Sequence, residues 1–250
     1  DPTIADGSTA FDALLYTGDG QSSKAVTGYG FSPDFLWIKE RSSTSGHGLW
    51  NTVVGSSKYL SAESSAAEYT TTTELSSIDS AGFTVGSSGM TNQSSQTYVA
   101  WAWDAGTSTV SNTDGSITSS VRANPSAGFS IVSYNGDNNA GDTVGHGLNA
   151  TCEWILIKNR DDAFTWYVYH SAVGATKYLR LDTSNAETTG SGAFNNTTPT
   201  SSVFSLGQDN AVNDGSKEYI AYCWAPVEGY SAFGSYTGNG SADGPFVHTG

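Results

Sequence analysis

Positive charge is scarce in this sequence. Its 10 lysines and arginines stand against 24 aspartates and glutamates, for a formal net charge of -14 and a pI near 4.3. Because proteins neutralise the phosphates of nucleic acids with cationic side chains, this balance argues against a nucleic-acid partner. No apolar run approaches the ~18 residues of a membrane span and no basic amphipathic stretch occurs, so we also predict no membrane insertion.

Cysteine is equally sparse, since Cys152 and Cys223 are the only two. Two cysteines make neither a disulfide framework nor a zinc-ligand set, and a single bridge and a pair of buried free thiols both fit the sequence. Serine and threonine make up about a quarter of the chain, whereas charged residues reach only 14%. Aromatic residues, at 12%, provide enough apolar material for a folded core.

The chain contains an internal repeat. Four blocks recur in the same order at a separation of about 120 residues, which is a usual domain size. They are 15–20 with 132–137, 35–41 with 154–160, 54–60 with 173–179, and 98–103 with 219–224. Such a series of matches indicates a tandem duplication.

Residues 234–240 repeat the opening of the first unit once more. We therefore predict a first repeat over 1–106, a Ser/Thr/Gly-rich joint over 107–128, a second repeat over 129–227, and the opening strand of a third, truncated repeat over 228–250. Because the chain begins at Asp1 and not at Met, we expect it to be a processed product or a fragment of a longer protein.

The pattern within each unit is that of β-strands. Residues 35–38 and 154–157 are continuous apolar runs of strand length, and Gly, Asn, Asp and Ser separate such runs. In the last block Trp101 and Trp103 alternate with Ala100 and Ala102, which places the two pairs on opposite faces of a strand. No stretch shows a sustained helical period. We predict an all-β protein of two tandem β-sandwich or jelly-roll-like domains.

No catalytic constellation stands out in the sequence. The four histidines, His47, His146, His170 and His248, do not occupy matched positions, and no HExxH, GxSxG or P-loop spacing occurs. We therefore predict a protein that is not an enzyme and uses no cofactor. The loop aspartates of the second unit leave a structural Ca²⁺ open, although no EF-hand or RTX spacing is present.

Four charged positions recur in both units of this cation-poor chain. The sequence favours a structural role for them, for example an ion pair between a lysine and the glutamate. Contact with a ligand at the rim of the sandwich is the alternative. The matched pairs are Lys39 with Lys158, Arg41 with Arg160, Lys58 with Lys177, and Glu68 with Glu187.

Tryptophan presents the same choice between packing and binding. Trp103 and Trp224 are matched and are predicted to be core residues. Trp50 and Trp166 lie near the edges of their units, where an exposed indole would stack on a sugar ring, so they are our candidate ligand-binding residues. The sequence favours packing within or between the domains for both residues over stacking on a sugar.

The recurring motifs resemble those of a known repeat family. Gly-Phe-x-Pro-Asp-Phe-x-Trp-Ile-Lys-x-Arg at 30–41 and Tyr-Val-Ala-Trp-x-Trp at 98–103 are similar to a repeat of unknown function in virion structural proteins of marine and cyanobacterial tailed phages. So are the segments 118–134 and 228–240. The second unit departs from the motif, with Thr151, Cys152 and Glu153 where the first has Ser32, Pro33 and Asp34.

This resemblance implies a non-enzymatic structural or adhesive segment of a phage tail fibre or other virion appendage. We expect it on the virion surface or tail, outside cells, as a homo-oligomer or beside other virion proteins, and in contact with a cell-surface glycan. A secreted bacterial carbohydrate-binding module is the alternative, and a glycan depolymerase is a third hypothesis. Tandem β-domains give the length and stiffness that a fibre requires.

Overall fold

The computed structural model describes residues 4–247. A 3-10 helix at Gly7–Thr9 leads into the first unit. The elements of that unit are β1 (Phe11–Thr17), β2 (Lys24–Thr27), β3 (Phe35–Glu40), β4 (His47–Asn51), β5 (Lys58–Ser61), β6 (Tyr69–Thr70), β7 (Leu75–Asp79), β8 (Gly82–Val85), α1 (Gly89–Asn92) and β9 (Thr97–Trp103). They form a six-stranded sheet in the order β1-β9-β3-β4-β5-β6 and a three-stranded sheet in the order β2-β8-β7.

The second unit repeats the strand order of the large sheet with an added hairpin, and its small sheet has two strands instead of three. Its elements are β10 (Thr109–Asn112), β11 (Ser119–Asn124), β12 (Phe129–Asn135), β13 (Thr143–Gly145), β14 (Trp154–Asn159), β15 (Tyr167–His170), β16 (Lys177–Arg180), β17 (Thr188–Thr189), β18 (Val203–Ser205), α2 (Asn210–Asn213) and β19 (Glu218–Trp224). The eight-stranded sheet has the order β10-β11-β12-β19-β14-β15-β16-β17, and β13 pairs with β18 in a second small sheet. All of the strand pairs named here are antiparallel. The protein is therefore all-β and of β-sandwich architecture, as the sequence predicted.

The four sheets stack as layers with three apolar cores between them. In the first unit, residues such as Leu36, Trp50 and Phe83 fill the space between the six-stranded and the three-stranded sheet. A corresponding core lies between the two sheets of the second unit. The third, which we call the interunit core, joins the two large sheets face to face and includes Phe35 and Tyr222. The two units are therefore packed together rather than linked by a tether.

Matched polar residues form equivalent hydrogen bonds in the two units. The buried Asn92 donates through Nδ2 to the carbonyl of Gly86 at 2.8 Å, and Asn213 donates to Gly207 at 3.0 Å. The hydroxyl of Tyr98 donates to the carbonyl of Gly89, and Tyr219 does the same to Asn210. Equivalent hydrogen bonds at equivalent positions are what a duplicated fold requires.

Two segments differ from the sequence expectation. Residues 107–128, predicted as a joint, carry the β10–β11 hairpin, and β11 pairs with β12 from Ser119 to Asn124. In residues 228–247, predicted to open a third repeat, only an isolated bridge between Val227 and Ser231 forms. β1 and β12 each pair with the last strand of their own unit, and the described residues contain no strand after β19 that could play this part for 228–247. Residues 248–250 lie outside the described range.

Candidate functional site

The matched lysine and glutamate form an ion pair in each unit. Lys58 Nζ lies 3.3 Å from Glu68 Oε1, and Lys177 pairs with Glu187. Each pair joins the last but one strand of the unit's large sheet, β5 or β16, to the loop before the last strand, β6 or β17. The two lysines are similarly exposed, at 36% and 38%, whereas Glu68 is 9% and Glu187 43% exposed. The matched glutamates thus occupy different environments.

Arg160 links the two units through Glu68. Its Nε and Nη2 donate to the two carboxylate oxygens of Glu68 at 2.7 and 2.9 Å, while Nη1 donates to Glu218 at 2.6 Å. Burial lowers the pKa of Arg160, but the hydrogen bonds and charge of Glu68 outweigh that effect and the pKa ends above its ordinary value. The matched Arg41 is exposed and forms no ion pair with any residue from 4 to 247.

Further polar contacts cross the same interface. Arg122 Nε lies 2.6 Å from Asp34 Oδ1, and Asn51 Nδ2 donates to the hydroxyl of Tyr222 at 3.0 Å. Asp34 is almost fully buried, and this burial raises the pKa of its carboxyl although Thr52 and Arg122 oppose the shift. Arg122 and Asp34 are thus an ion pair without an aligned hydrogen bond from Nε, whereas Asn51 and Arg160 donate hydrogen bonds across the interface. The interface combines an apolar interior with these polar contacts.

The matched lysines at the strand ends also serve the fold. Lys39 donates through Nζ to the carbonyls of Glu40 and Ser43, and Lys158 donates to the carbonyls of Asn159 and Asp162. Both side chains thus close the loop that follows their strand. Lys158 is fully buried, and that burial lowers its pKa to about 8, although Asp182 and Asp162 act in the opposite direction.

Neither candidate tryptophan is available to a sugar. Trp50 and Trp166 both have 0% of their surface exposed. Trp50 points into the core of the first unit, and Trp166 lies in the interunit core, where Nε1 donates to the carbonyl of Ser61 at 2.9 Å. Position near a unit edge did not imply exposure, because the neighbouring unit and the small sheet cover these residues. The matched Trp103 and Trp224 lie at the rim of the interunit core, with ring centroids 6.1 Å apart.

A different set of aromatic residues forms an open recess. Phe11, Trp37, His47, Trp101 and Trp103 surround about 310 Å³ on the outer face of the six-stranded sheet, and we call this recess the tryptophan groove. It is built by β1, β9, β3 and β4, whose register places Trp37 opposite Trp101 and Phe11 opposite Trp103. The alternation of Trp101 and Trp103 with Ala100 and Ala102 is the sequence signal that pointed to this face.

Hydrogen bonding fixes one wall of the tryptophan groove. Trp37 Nε1 donates to His47 Nδ1 at 2.8 Å, so the proton of the neutral imidazole lies on Nε2. Burial lowers the pKa of His47, which favours this neutral form. The ring N–H groups of His47, Trp101 and Trp103 donate to no residue between 4 and 247, and none of the three is a fully buried atom.

The same face of the second unit is covered. The residues at the positions of Phe11, Trp37, Trp101 and Trp103 are Phe129, Leu156, Tyr222 and Trp224, and each has at most 6% of its surface exposed. Phe35 stacks on Tyr222 with ring centroids 4.2 Å apart, whereas its counterpart Trp154 stacks on Trp224 at 4.3 Å. The two large sheets thus meet off-centre, and this offset leaves the β1–β9 half of the first sheet open.

The two cysteines are free and buried in the core of the second unit. A hydrogen bond with Cys223 lowers the pKa of the Cys152 thiol to about 6, with desolvation opposing the shift and His146 supporting it.

Among residues 4–247 no three His, Cys, Asp or Glu side chains converge on a metal position. Calcium binding stays a prediction for titration to test. In the same range no helix has the length and apolar character to cross a membrane.

Comparison with curated proteins and with solved structures found no match. One family model matches residues 6–250, which is nearly the whole chain, and its description is a domain of unknown function, DUF7483. The match begins just before β1 and includes both units and the segment after β19. The chain belongs to the DUF7483 family.

Proposed function

We propose that this chain is a structural and adhesive segment of an extracellular appendage, a phage tail fibre or another virion appendage, and that it acts without catalysis. The observation that carries the proposal is the interunit core, an apolar core that joins two sandwiches which each have a core of their own. The bidentate Arg160–Glu68 pair and the Arg122–Asp34 pair hold the same interface. Such a joint resists bending, and a stiff series of domains suits a fibre.

The surface of the molecule also suits this role. Serine, threonine and glycine dominate the loops, and the net charge of -14 keeps the molecules apart in solution. The motifs at 30–41 and 98–103 resemble repeats of phage virion proteins, and this resemblance is the basis for assigning the appendage to a virion. Within that assembly the partners are further copies of the chain or other virion proteins.

Location on the particle tests this proposal directly. Antibodies raised against the purified chain, coupled to gold, are applied to particles from cultures that carry the gene and viewed by electron microscopy. We expect gold on the tail or on another projecting structure. Gold confined to the cell envelope or to secreted material, with unlabelled particles, would contradict the virion assignment.

A secreted carbohydrate-binding module is the second candidate, and the tryptophan groove favours it. The same labelling experiment separates the two candidates, because a secreted module lies outside the particle. Catalysis is tested by incubating the chain with host surface polysaccharide and measuring polymer length. We expect unchanged length, whereas shortened chains would identify a glycan depolymerase and overturn the non-enzymatic part of the proposal.

A further inference from the structure

The open face of the first unit carries larger apolar side chains than the covered face of the second unit, although core packing favours the reverse. Where the large sheet is covered, in the second unit, the chain carries Leu156 and Tyr222, which are fully buried. Where the sheet is open, in the first unit, it carries the two larger indoles of Trp37 and Trp101, which are only partly buried. Leaving large apolar rings in water forgoes their burial energy, so a contiguous exposed set of them marks a contact surface.

The polar atoms at the groove indicate the kind of molecule that it contacts. The ring N–H groups of Trp101 and Trp103, and Nε2 of His47, lack acceptors among the described residues and offer three donors. Glu63 supplies an acceptor, because its Oε2 receives the His47 backbone N–H at 2.9 Å while Oε1 receives none from residues 4–247. A ligand with flat apolar faces and hydroxyl groups at its edges satisfies both the rings and these polar atoms.

Charge narrows the class of ligand further. Neither lysine nor arginine lines the groove or the recess beside it, whereas Glu63 lines the recess. Lys39 lies opposite His47, but its Nζ donates to the carbonyls of Glu40 and Ser43. The whole chain carries a net charge of -14. Nucleic acids and acidic polysaccharides are therefore repelled, whereas neutral sugars are not.

The groove continues at both ends. One adjoining recess of about 190 Å³ shares Trp37 and His47 with it and reaches Glu63 and Leu181. Another of about 210 Å³ shares Phe11 and Trp103 and reaches Trp154 and Phe233. The aromatic lining thus crosses from the first unit to the second, and a ligand that uses all of it is a chain of several rings.

We propose that the tryptophan groove binds a linear, neutral oligosaccharide whose pyranose rings stack on Trp37, Trp101 and Trp103. The ring N–H groups of His47, Trp101 and Trp103 donate to sugar hydroxyls, and Glu63 accepts from one. This inference rests on the adhesive part of the proposed function and names its ligand class and its site.

Binding is measured by titration calorimetry and tryptophan fluorescence with the purified full chain. The probes are hexasaccharides of glucose and of N-acetylglucosamine in α and β linkage, a hexagalacturonate as the acidic counterpart, and a proline-rich decapeptide, because such peptides also dock on aromatic grooves. We expect at least one neutral hexasaccharide to bind and the hexagalacturonate not to bind.

Three variants locate the site. Trp101→Ala removes one stacking platform, and we expect affinity to fall about tenfold, which is the usual size of one aromatic contact. Trp37→Leu introduces the residue of the second unit and is expected to weaken binding similarly. Tyr69→Ala is the matched control, because Tyr69 is an exposed aromatic residue on β6 at the far edge of the same sheet. An unchanged far-UV circular dichroism spectrum and a cooperative melting transition show that the variants remain folded.

Four outcomes overturn the inference. One is that no neutral hexasaccharide binds. Another is that Tyr69→Ala weakens sugar binding as much as Trp101→Ala does. The third is that the peptide binds and the sugars do not. The fourth is that the chain self-associates and Trp101→Ala abolishes this association, since a second copy then covers the groove. None of these results affects the gold-labelling test, so failure of the groove and failure of the appendage assignment are distinguishable.

Discussion

At the scale of single residues, duplication has placed identical side chains in unequal surroundings. Arg160 is buried between two carboxylates, whereas Arg41 at the matched position is exposed. Lys158 is fully buried and Lys39 only partly. The same substitution can therefore be made at both members of a matched pair. The difference between the two changes in the free energy of unfolding then reports the effect of the surroundings.

Arg160→Met and Arg41→Met make the first such comparison. Removing Arg160 leaves the largely buried Glu68 carboxylate with Lys58 alone, and we expect a loss of about 2–3 kcal/mol in the free energy of unfolding. Arg41→Met is expected to leave the free energy of unfolding unchanged. Urea denaturation followed by fluorescence measures both, and equal effects would show that the Glu68 contact contributes no stability.

Lys158 and Lys39 make the second comparison, in the pH dependence of the free energy of unfolding. Its pKa is about 8 in the folded protein and 10.5 when unperturbed. Between these values the unfolded chain holds more protons, so this residue makes stability rise as the pH increases from 8 toward 10. We expect Lys158→Met to remove that part of the pH dependence and Lys39→Met to preserve it. Urea denaturation at pH 7, 8, 9 and 10 tests this, and parallel curves for wild type and Lys158→Met would contradict it.

The sequence predicted some of the contacts between individual residues and not others. Matched lysines and glutamates indicated an ion pair, and Lys58–Glu68 and Lys177–Glu187 are such pairs. The bond from Arg160 to Glu68 was not predictable, because it depends on how two folded units dock. The burial of Trp50 and Trp166 has the same cause, since exposure is set by neighbouring layers and not by position along the repeat.

At the scale of elements, the two units differ in how they protect the first strand of the large sheet. In the second unit the β10–β11 hairpin pairs with β12, whereas β1 is an edge strand of its sheet. The sequence predicted the β-strands from apolar alternation but assigned 107–128 to a joint. Serine-rich and glycine-rich segments resemble loops, and only pairing with a neighbouring strand makes this one extended.

A side chain of the edge strand β1 covers one of that strand's backbone N–H groups. Asp12 Oδ1 accepts the backbone N–H of Ala13 at 2.7 Å, so this amide is not offered to another strand. We expect Asp12→Ala to expose it and to promote self-association, because unpaired strand edges recruit further strands. Sedimentation velocity measures the effect, with the exposed Asp243→Ala as a control for lost charge. A monodisperse Asp12→Ala protein that matches the control would contradict this role.

At the scale of the whole molecule, the four layers are coupled through the interunit core. The sequence established that there are two units, from the repeat, but contained no signal for their face-to-face arrangement or its offset. Those features depend on aromatic rings such as Phe35 and Tyr222. In the sequence of either unit, these residues do not differ from ordinary core residues. The tryptophan groove was missed for the same reason, because it is the part of a face that docking leaves uncovered.

This coupling predicts a single unfolding transition. Calorimetry, far-UV circular dichroism and tryptophan fluorescence are expected to report the same melting temperature. Phe35→Ala creates a cavity at the shared core and is expected to destabilise the molecule by about 3–5 kcal/mol while the transition stays single. Two separate transitions, in the wild type or in the variant, would show that the units unfold independently.

The offset between the two sheets has a consequence for how the protein changes over generations. Leu156 and Tyr222 are held to their shapes by a neighbour that must change with them. Trp37 and Trp101 are under weaker constraint of this kind, since the face around them is largely uncovered. We therefore expect a substitution at Leu156 or Tyr222 to require a compensating change in the side chain packed against it, whereas packing alone does not restrict single substitutions on the open face of the first unit in this way.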